Sequence, residues 1–96
     1  MIAIIATFTI NAENAAAFEA VAGELVKATN ANEPGVQLYK LVHNAKDPTQ
    51  YRMMELYDDQ AAVDAHMASE WFKAAGPKLG GLIEGRMQLE RYAVID

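Results

Sequence analysis

The sequence predicts an α+β fold with the chain order βαββαβ, and three observations carry that expectation. Apolar residues recur at three- and four-residue steps through residues 12–31, the period of one helix face. Runs of β-branched and aromatic residues flank that stretch and close the chain. Turn formers, Pro34-Gly35 and Asp47-Pro48, stand where one pattern gives way to the next.

Residues 2–10 are rich in Ile, Ala, Thr and Phe and read as a buried first strand. Asn11 follows, and its side chain can accept an orphan backbone N–H, so the first helix is expected to start there. Phe18, Val21, Ala22, Leu25 and Thr29 share one face of that helix, while Glu13, Glu19, Glu24 and Lys27 fall largely elsewhere. Pro34 and Gly35 stop it, because proline disfavours a helical conformation in the residue before it and glycine accepts the turn. Residues 36–43 and 51–57 form two strands of a hairpin. Asp58 or Asp59 caps a second helix reaching about Met67, and Ser69 caps a short third segment that carries Trp71 and Phe72 and ends at Gly76-Pro77. Gly80-Gly81 gives a loop its freedom, and residues 86–95 alternate as the last strand. In this ferredoxin-like order, two helices cover one face of a four-stranded antiparallel sheet. Residues 1–96 are expected to make one domain, with no linker or low-complexity segment.

The other face of such a sheet should alternate to polar. Here the first strand offers Ile2, Ile4 and Phe8 on one side and Ala3, Ile5 and Thr7 on the other, and the last opposes Tyr92 and Val94 to Met87, Leu89, Ala93 and Ile95. At roughly 25 cal/mol per Å² of apolar surface, leaving the second face wet forfeits several kcal/mol, so two sheets are expected to pack face to face in a homodimer. The plainer alternative is that these residues are strand formers at the surface.

A chain of 96 residues with a 52% hydrophobic fraction and no cysteine must draw its stability from packing, without disulfides or cysteine metal sites. Eight basic against thirteen acidic residues give a net charge of -5, which repels phosphate backbones and anionic membrane surfaces. No nucleic acid or membrane partner is expected. The apolar N-terminal run has no positive leader and is too short to span a bilayer, which makes the cytoplasm the default compartment.

Three stretches resemble one known family. Glu33-Pro34-Gly35-Val36 with Tyr39 resembles the start of its second strand, and Asp47-Pro48-Thr49 with Tyr51 resembles its hairpin. Glu55-Leu56-Tyr57-Asp58, followed by Ala62, His66, Ser69 and Phe72, resembles its glutamate, aromatic, alanine, histidine, serine, phenylalanine signature. The family is the antibiotic biosynthesis monooxygenase domain. The resemblance implies a dimeric α+β barrel, in which the sheets of two ferredoxin-like subunits form a shared barrel and each subunit keeps a pocket between sheet and helices. It also implies chemistry on quinols or polycyclic phenols without metal or flavin. The family includes heme-degrading enzymes, isomerases and proteins with no known activity as well, so it fixes architecture better than reaction.

Glu55 and His66 are the candidate catalytic residues. If strand and helix face each other, the carboxylate and the imidazole meet at the edge of a cavity, where Glu55 orients the ring and favours its protonated form. The same pair can instead be structural, locking helix to strand. Tyr57, Trp71, Phe72, Tyr39 and Met53 are candidate substrate-binding residues for a flat aromatic molecule, with ordinary core packing as the competing reading of each. Among them Trp71 stands out, because a buried indole N–H needs a partner. His43 is read as a solvated loop residue, and two histidines without metal-binding spacing predict no metal.

The leading expectation is a cofactor-independent monooxygenase acting on a quinol or phenol with dioxygen, His66 serving as base and Glu55 as its orienter. A non-oxidative small-molecule-binding or isomerase-type dimer is the alternative. Heme degradation fits less well, since Thr7 and Gly76 stand where that branch carries Asn and His.

Overall fold

The computed structural model describes residues 1–96. Strand β1 (Ile2–Thr9) leads through a 3-10 turn (Ala12–Asn14) into helix α1 (Ala15–Asn32). Strands β2 (Val36–His43) and β3 (Gln50–Tyr57) follow, then helices α2 (Gln60–Ala68) and α3 (Glu70–Gly80), and strand β4 (Glu84–Ala93). The sheet is antiparallel in the order β2-β3-β1-β4, so the two βαβ halves interleave as the ferredoxin-like expectation requires. No helix is long and apolar enough to cross a membrane.

Opposed residues of an antiparallel pair share a face. Ala6 lies opposite Met53 on β3, Tyr39 on β2 lies opposite Glu55, and all four side chains belong to the helix-facing side. Onto them α1 presents Phe18, Ala22, Leu25 and Thr29, each at most 3% exposed. Phe18 is the hub of this core, its ring 5.5 Å from Phe8 and 4.9 Å edge-on from Tyr51. The helix face read from the three- and four-residue spacing is thus the one that packs.

Three local expectations need correction. Asn11 does not cap the first helix with its side chain. Its backbone carbonyl accepts from Asn14 N–H at 2.9 Å, while its amide donates to Glu84 at 3.1 Å, tying the turn to the start of β4. Helix α3 does not stop at Gly76-Pro77 but runs through the proline to Gly80. Gly76 has no Cβ to meet the proline ring, and the extra turn brings Leu79 against the core. The last strand begins two residues earlier than expected and ends at Ala93.

Asp59 does cap α2, accepting from Ala62 N–H at 2.9 Å, and Ser69 caps α3, accepting from Phe72 N–H at 3.3 Å. Strand β4 pairs only with β1, and every one of its residues is exposed, so the helical layer leaves this edge of the sheet open. Its register slips between the partners of Thr7 and Thr9, where Gly85 has a φ of 69° that only glycine adopts without strain. On the face away from the helices Leu38, Val42, Met54 and Tyr92 are 38%, 37%, 41% and 46% exposed.

Candidate active site

Two short stretches fold so as to bring Glu33 and His66 together. Glu33 is the C-cap of α1, its N–H donating to Thr29 O at 3.0 Å. Pro34-Gly35 then reverses the chain into β2, with Val36 N–H donating to Glu33 O at 3.1 Å. Gly35 sits so close to α2 that a Cβ there would stand 2.7 Å from the Cβ of Ala62. His66 lies one helical turn beyond Ala62, so this close approach sets the Glu33 carboxylate against its ring.

The Nδ1 atom of His66 is 3.1 and 3.0 Å from the two carboxylate oxygens of Glu33. Trp71 donates its indole N–H to Glu33 Oε2 at 2.6 Å. The carboxylate is therefore clamped between two ring donors and faces the negative end of α1, a placement that those donors offset. The His66 residue is 2% exposed, with the rings of Tyr39 and Phe72 at 4.9 Å and Tyr57 at 5.8 Å between centroids. With Nδ1 engaged by Glu33, Nε2 is the nitrogen that remains free of protein partners.

A cavity of about 380 Å³ lies between the sheet and helices α2 and α3 and opens toward β4. Of its 19 lining residues 14 are hydrophobic, Tyr39 and Tyr57 among them, and the polar groups are those two hydroxyls with Glu55 and His66. No lysine or arginine lines it, so an anionic ligand finds no countercharge. Burial pushes the Glu55 carboxyl up to about 7, against the downward pull of the hydrogen bond it accepts from the Tyr57 hydroxyl. The Tyr39 hydroxyl is raised far above the ordinary range, first by burial and then by the Glu55 and Glu33 carboxylates, and Tyr57 is raised by burial and Glu55. Both phenols consequently remain protonated, Tyr57 donating to Glu55 while the Tyr39 hydroxyl keeps its proton free for a ligand. One side of an apolar cavity thus combines an imidazole nitrogen, a carboxyl that titrates near neutrality and two phenol donors, a set able to accept and return protons. No three His, Asp or Glu side chains converge as a metal site.

Residues 1–78 match the profile of a protein family described as antibiotic biosynthesis monooxygenase. The chain belongs to that family. A solved Caulobacter crescentus CB15 protein named for the same family is 32% identical, with a TM-score of 0.94 over 99% of this chain and 90% of the other. An antibiotic biosynthesis monooxygenase of solved structure is 27% identical, with a TM-score of 0.91 over the full length of both chains. A conserved protein from Methanosarcina mazei Go1, 23% identical, shares the fold at a TM-score of 0.90 over 95% and 89% of the two chains. No curated protein matches the chain.

In this monooxygenase-family member the sequence-derived site residues divide. His66, Glu55, Tyr57, Phe72, Tyr39 and Met53 all line the cavity. Trp71 does not. Its ring lies on the groove between α1 and α3, and its indole N–H supports Glu33 from behind. The expected pairing of Glu55 with His66 is replaced as well: Glu33 holds the imidazole, and Glu55 holds Tyr57. The physical reason is reach, since Tyr57 stands two residues from Glu55 on the same strand face while Glu33 enters from the turn beside α2. Glu33 is the residue that sequence reasoning missed. An acidic side chain at the C-terminal end of a helix, directly before Pro-Gly, opposes the helix dipole, and that anomaly is the signal that it has a buried partner.

Proposed function

We propose that this protein oxidises a phenolic or quinol small molecule with dioxygen and that its own residues and the substrate suffice for the chemistry. The observation that carries the reading is the apolar cavity in which the Tyr39 and Tyr57 rings stand beside His66 and Glu55 is bonded to Tyr57. His66 Nε2 takes a proton from a substrate hydroxyl, with Glu33 rather than Glu55 fixing the ring. The phenolate so formed is electron-rich enough to reduce dioxygen directly, provided that water is kept away. Glu55, titrating near neutrality, receives the second hydroxyl proton. Overall a hydroquinone and dioxygen give a hydroxyquinone and water. One oxygen atom forms a new ring C–O bond, the other leaves as water with two protons relayed by His66 and Glu55, and the substrate supplies all four electrons.

A homodimer formed through the outer sheet face is part of this proposal. Its support is the exposed Leu38, Val42, Met54 and Tyr92 on that face, an apolar patch that a second copy would cover. A non-oxidative isomerase is the second reading, favoured by the presence of two proton-transfer groups, His66 and Glu55, in one cavity. Oxygen consumption across a quinol panel, with mass spectrometry of the products, separates the two. His66→Ala is expected to lower uptake by 10²-fold to 10⁴-fold, the usual contribution of a general base, while the assembly state persists. Unchanged uptake in that variant removes His66 from the mechanism. Proton exchange into a recovered substrate without oxygen consumption selects the isomerase reading.

A further inference from the structure

The five methionines of the chain divide by their surroundings. Met53 lies on the cavity floor, 2% exposed and part of the packed core. Met54, its neighbour on β3, is turned to the outer sheet face, and Met1 stands at the chain start; neither lines the cavity. Met67 on α2 and Met87 on β4 differ from all three. Both line the cavity, yet they are 54% and 45% exposed, so each borders the cavity space and bulk solvent at once. Neither belongs to the core or to the side chains packed against it, so the fold does not depend on them for packing.

A thioether at such a place has a chemistry that leucine or valine lacks. It is apolar when reduced, and peroxide converts it to a polar sulfoxide that enzymes can reduce again. The sulfur attacks one peroxide oxygen, the O–O bond breaks, and a sulfoxide and water result; sulfur loses two electrons and peroxide gains them. A quinol that reduces dioxygen supplies the oxidant whenever hydrogen peroxide departs before the C–O bond forms, leaving a quinone behind. Peroxide formed in this cavity passes Met67 and Met87 on its way out. The lining is mostly apolar and holds no lysine or arginine, so a sulfoxide oxygen on the rim keeps water bound there, which an apolar guest must strip away.

We propose that Met67 and Met87 form a reversible oxidation site that governs the cavity: peroxide turns both thioethers into sulfoxides, and the rim so made polar turns apolar ligands away until the sulfoxides are reduced. The peroxide source rests on the oxidation reading; the site and its effect on the cavity do not.

The first arm of the test needs no turnover. The protein is treated with hydrogen peroxide, binding of the neutral fluorophore N-phenyl-1-naphthylamine is titrated before and after, and peptide mass spectrometry counts the oxygen gained at each methionine. Oxidation is expected to weaken binding by about fivefold or more, and sulfoxide reductases for both epimers to restore it. The double variant Met67→Leu/Met87→Leu keeps an apolar rim of nearly equal volume and still carries Met1 and Met54, so peroxide should leave its affinity unchanged. Should that variant fail to fold, restoration by the reductases together with the peptide map decides. Probe binding that is absent in the reduced wild type, unaffected by oxidation of Met67 and Met87, or lost equally in the leucine variant overturns the proposal. In the second arm the protein turns over hydroquinone in air with catalase in the bulk solution, so that peroxide acts only where it leaves the protein. Oxygen is expected on Met67 and Met87 at about three times or more the level on Met1, which is 57% exposed but remote from the cavity lining. Even oxidation of all exposed methionines during turnover overturns the cavity as the peroxide source. Absence of oxygen uptake overturns only the functional reading, since the first arm decides the site by itself.

Discussion

Replacing Glu55 by glutamine changes the charge in the cavity while nearly preserving its shape. Burial lifts the Glu55 carboxyl from 4.5 to about 7, so between those values the folded protein holds a proton that the unfolded chain has released. The stability this group contributes is fully present below about pH 4.5 and is lost as pH rises through about 7. At ~1.36 kcal/mol per pH unit the full difference is roughly 3 kcal/mol, an upper figure because the side chain is only half-buried. Glutamine has no such titration. The stability difference between Glu55→Gln and wild type should therefore shift in favour of the variant by roughly 2–3 kcal/mol between pH 5 and pH 8. For a domain of this size that corresponds to a Tm difference growing by about 10–20 °C. Urea unfolding followed by circular dichroism would measure it, at one protein concentration because assembly makes stability concentration-dependent. A stability difference that stays constant across this pH range would refute the assignment of Glu55 as a buried carboxyl that resists ionisation.

Other perturbations probe the rest of the framework. Trp71→Phe removes one of the two ring donors to Glu33 and is expected to cost about 1–3 kcal/mol in denaturant titration, with a fall in oxygen uptake; full stability and full uptake would show that the indole does not support the site. Gly35→Ala forces a methyl to within 2.7 Å of Ala62 and should destabilise by about 1–3 kcal/mol, while Gly23→Ala, with open space around it, should not; a crystal structure would show α2 displaced from the turn. Met54→Glu places a charge in the middle of the exposed outer face, and light scattering should report a monomer where the wild type gives twice that mass. A monomeric wild type would defeat the proposal of a dimer.

Periodicity located the elements because each depends on neighbours in the chain. The α1 face of Phe18, Ala22, Leu25 and Thr29 was readable from its spacing, Ser69 was readable as a cap from its chemistry and position, and the choice between Asp58 and Asp59 fell to the structure. The end of α3 was not, since the local rule that proline stops a helix was overridden by the missing Cβ of Gly76 and by the packing of Leu79. The cavity residues on β2, β3 and α2 followed from strand parity and helix spacing together with the family signature. What stayed hidden was which acid faces which ring. That choice is made by the close approach of Gly35 to Ala62, a contact between parts of the chain 27 positions apart that leaves no periodic trace.

Ser69 belongs to two helices at once. Its hydroxyl donates to the carbonyl of His66 at 2.6 Å, closing α2, and accepts the amide of Phe72 at 3.3 Å, opening α3. A single oxygen atom thus rivets together the residues on either side of it that form adjoining parts of the cavity lining, and this corner must travel as one piece. Entry of a ligand is then expected at the opposite rim, residues 81–85, which joins α3 to the open β4 edge with one exposed side-chain tie, from Asn11 to Glu84. Amide deuteration should accordingly reach that rim well before it reaches residues 66–72, and the reverse order would show that the doorway lies at the corner instead.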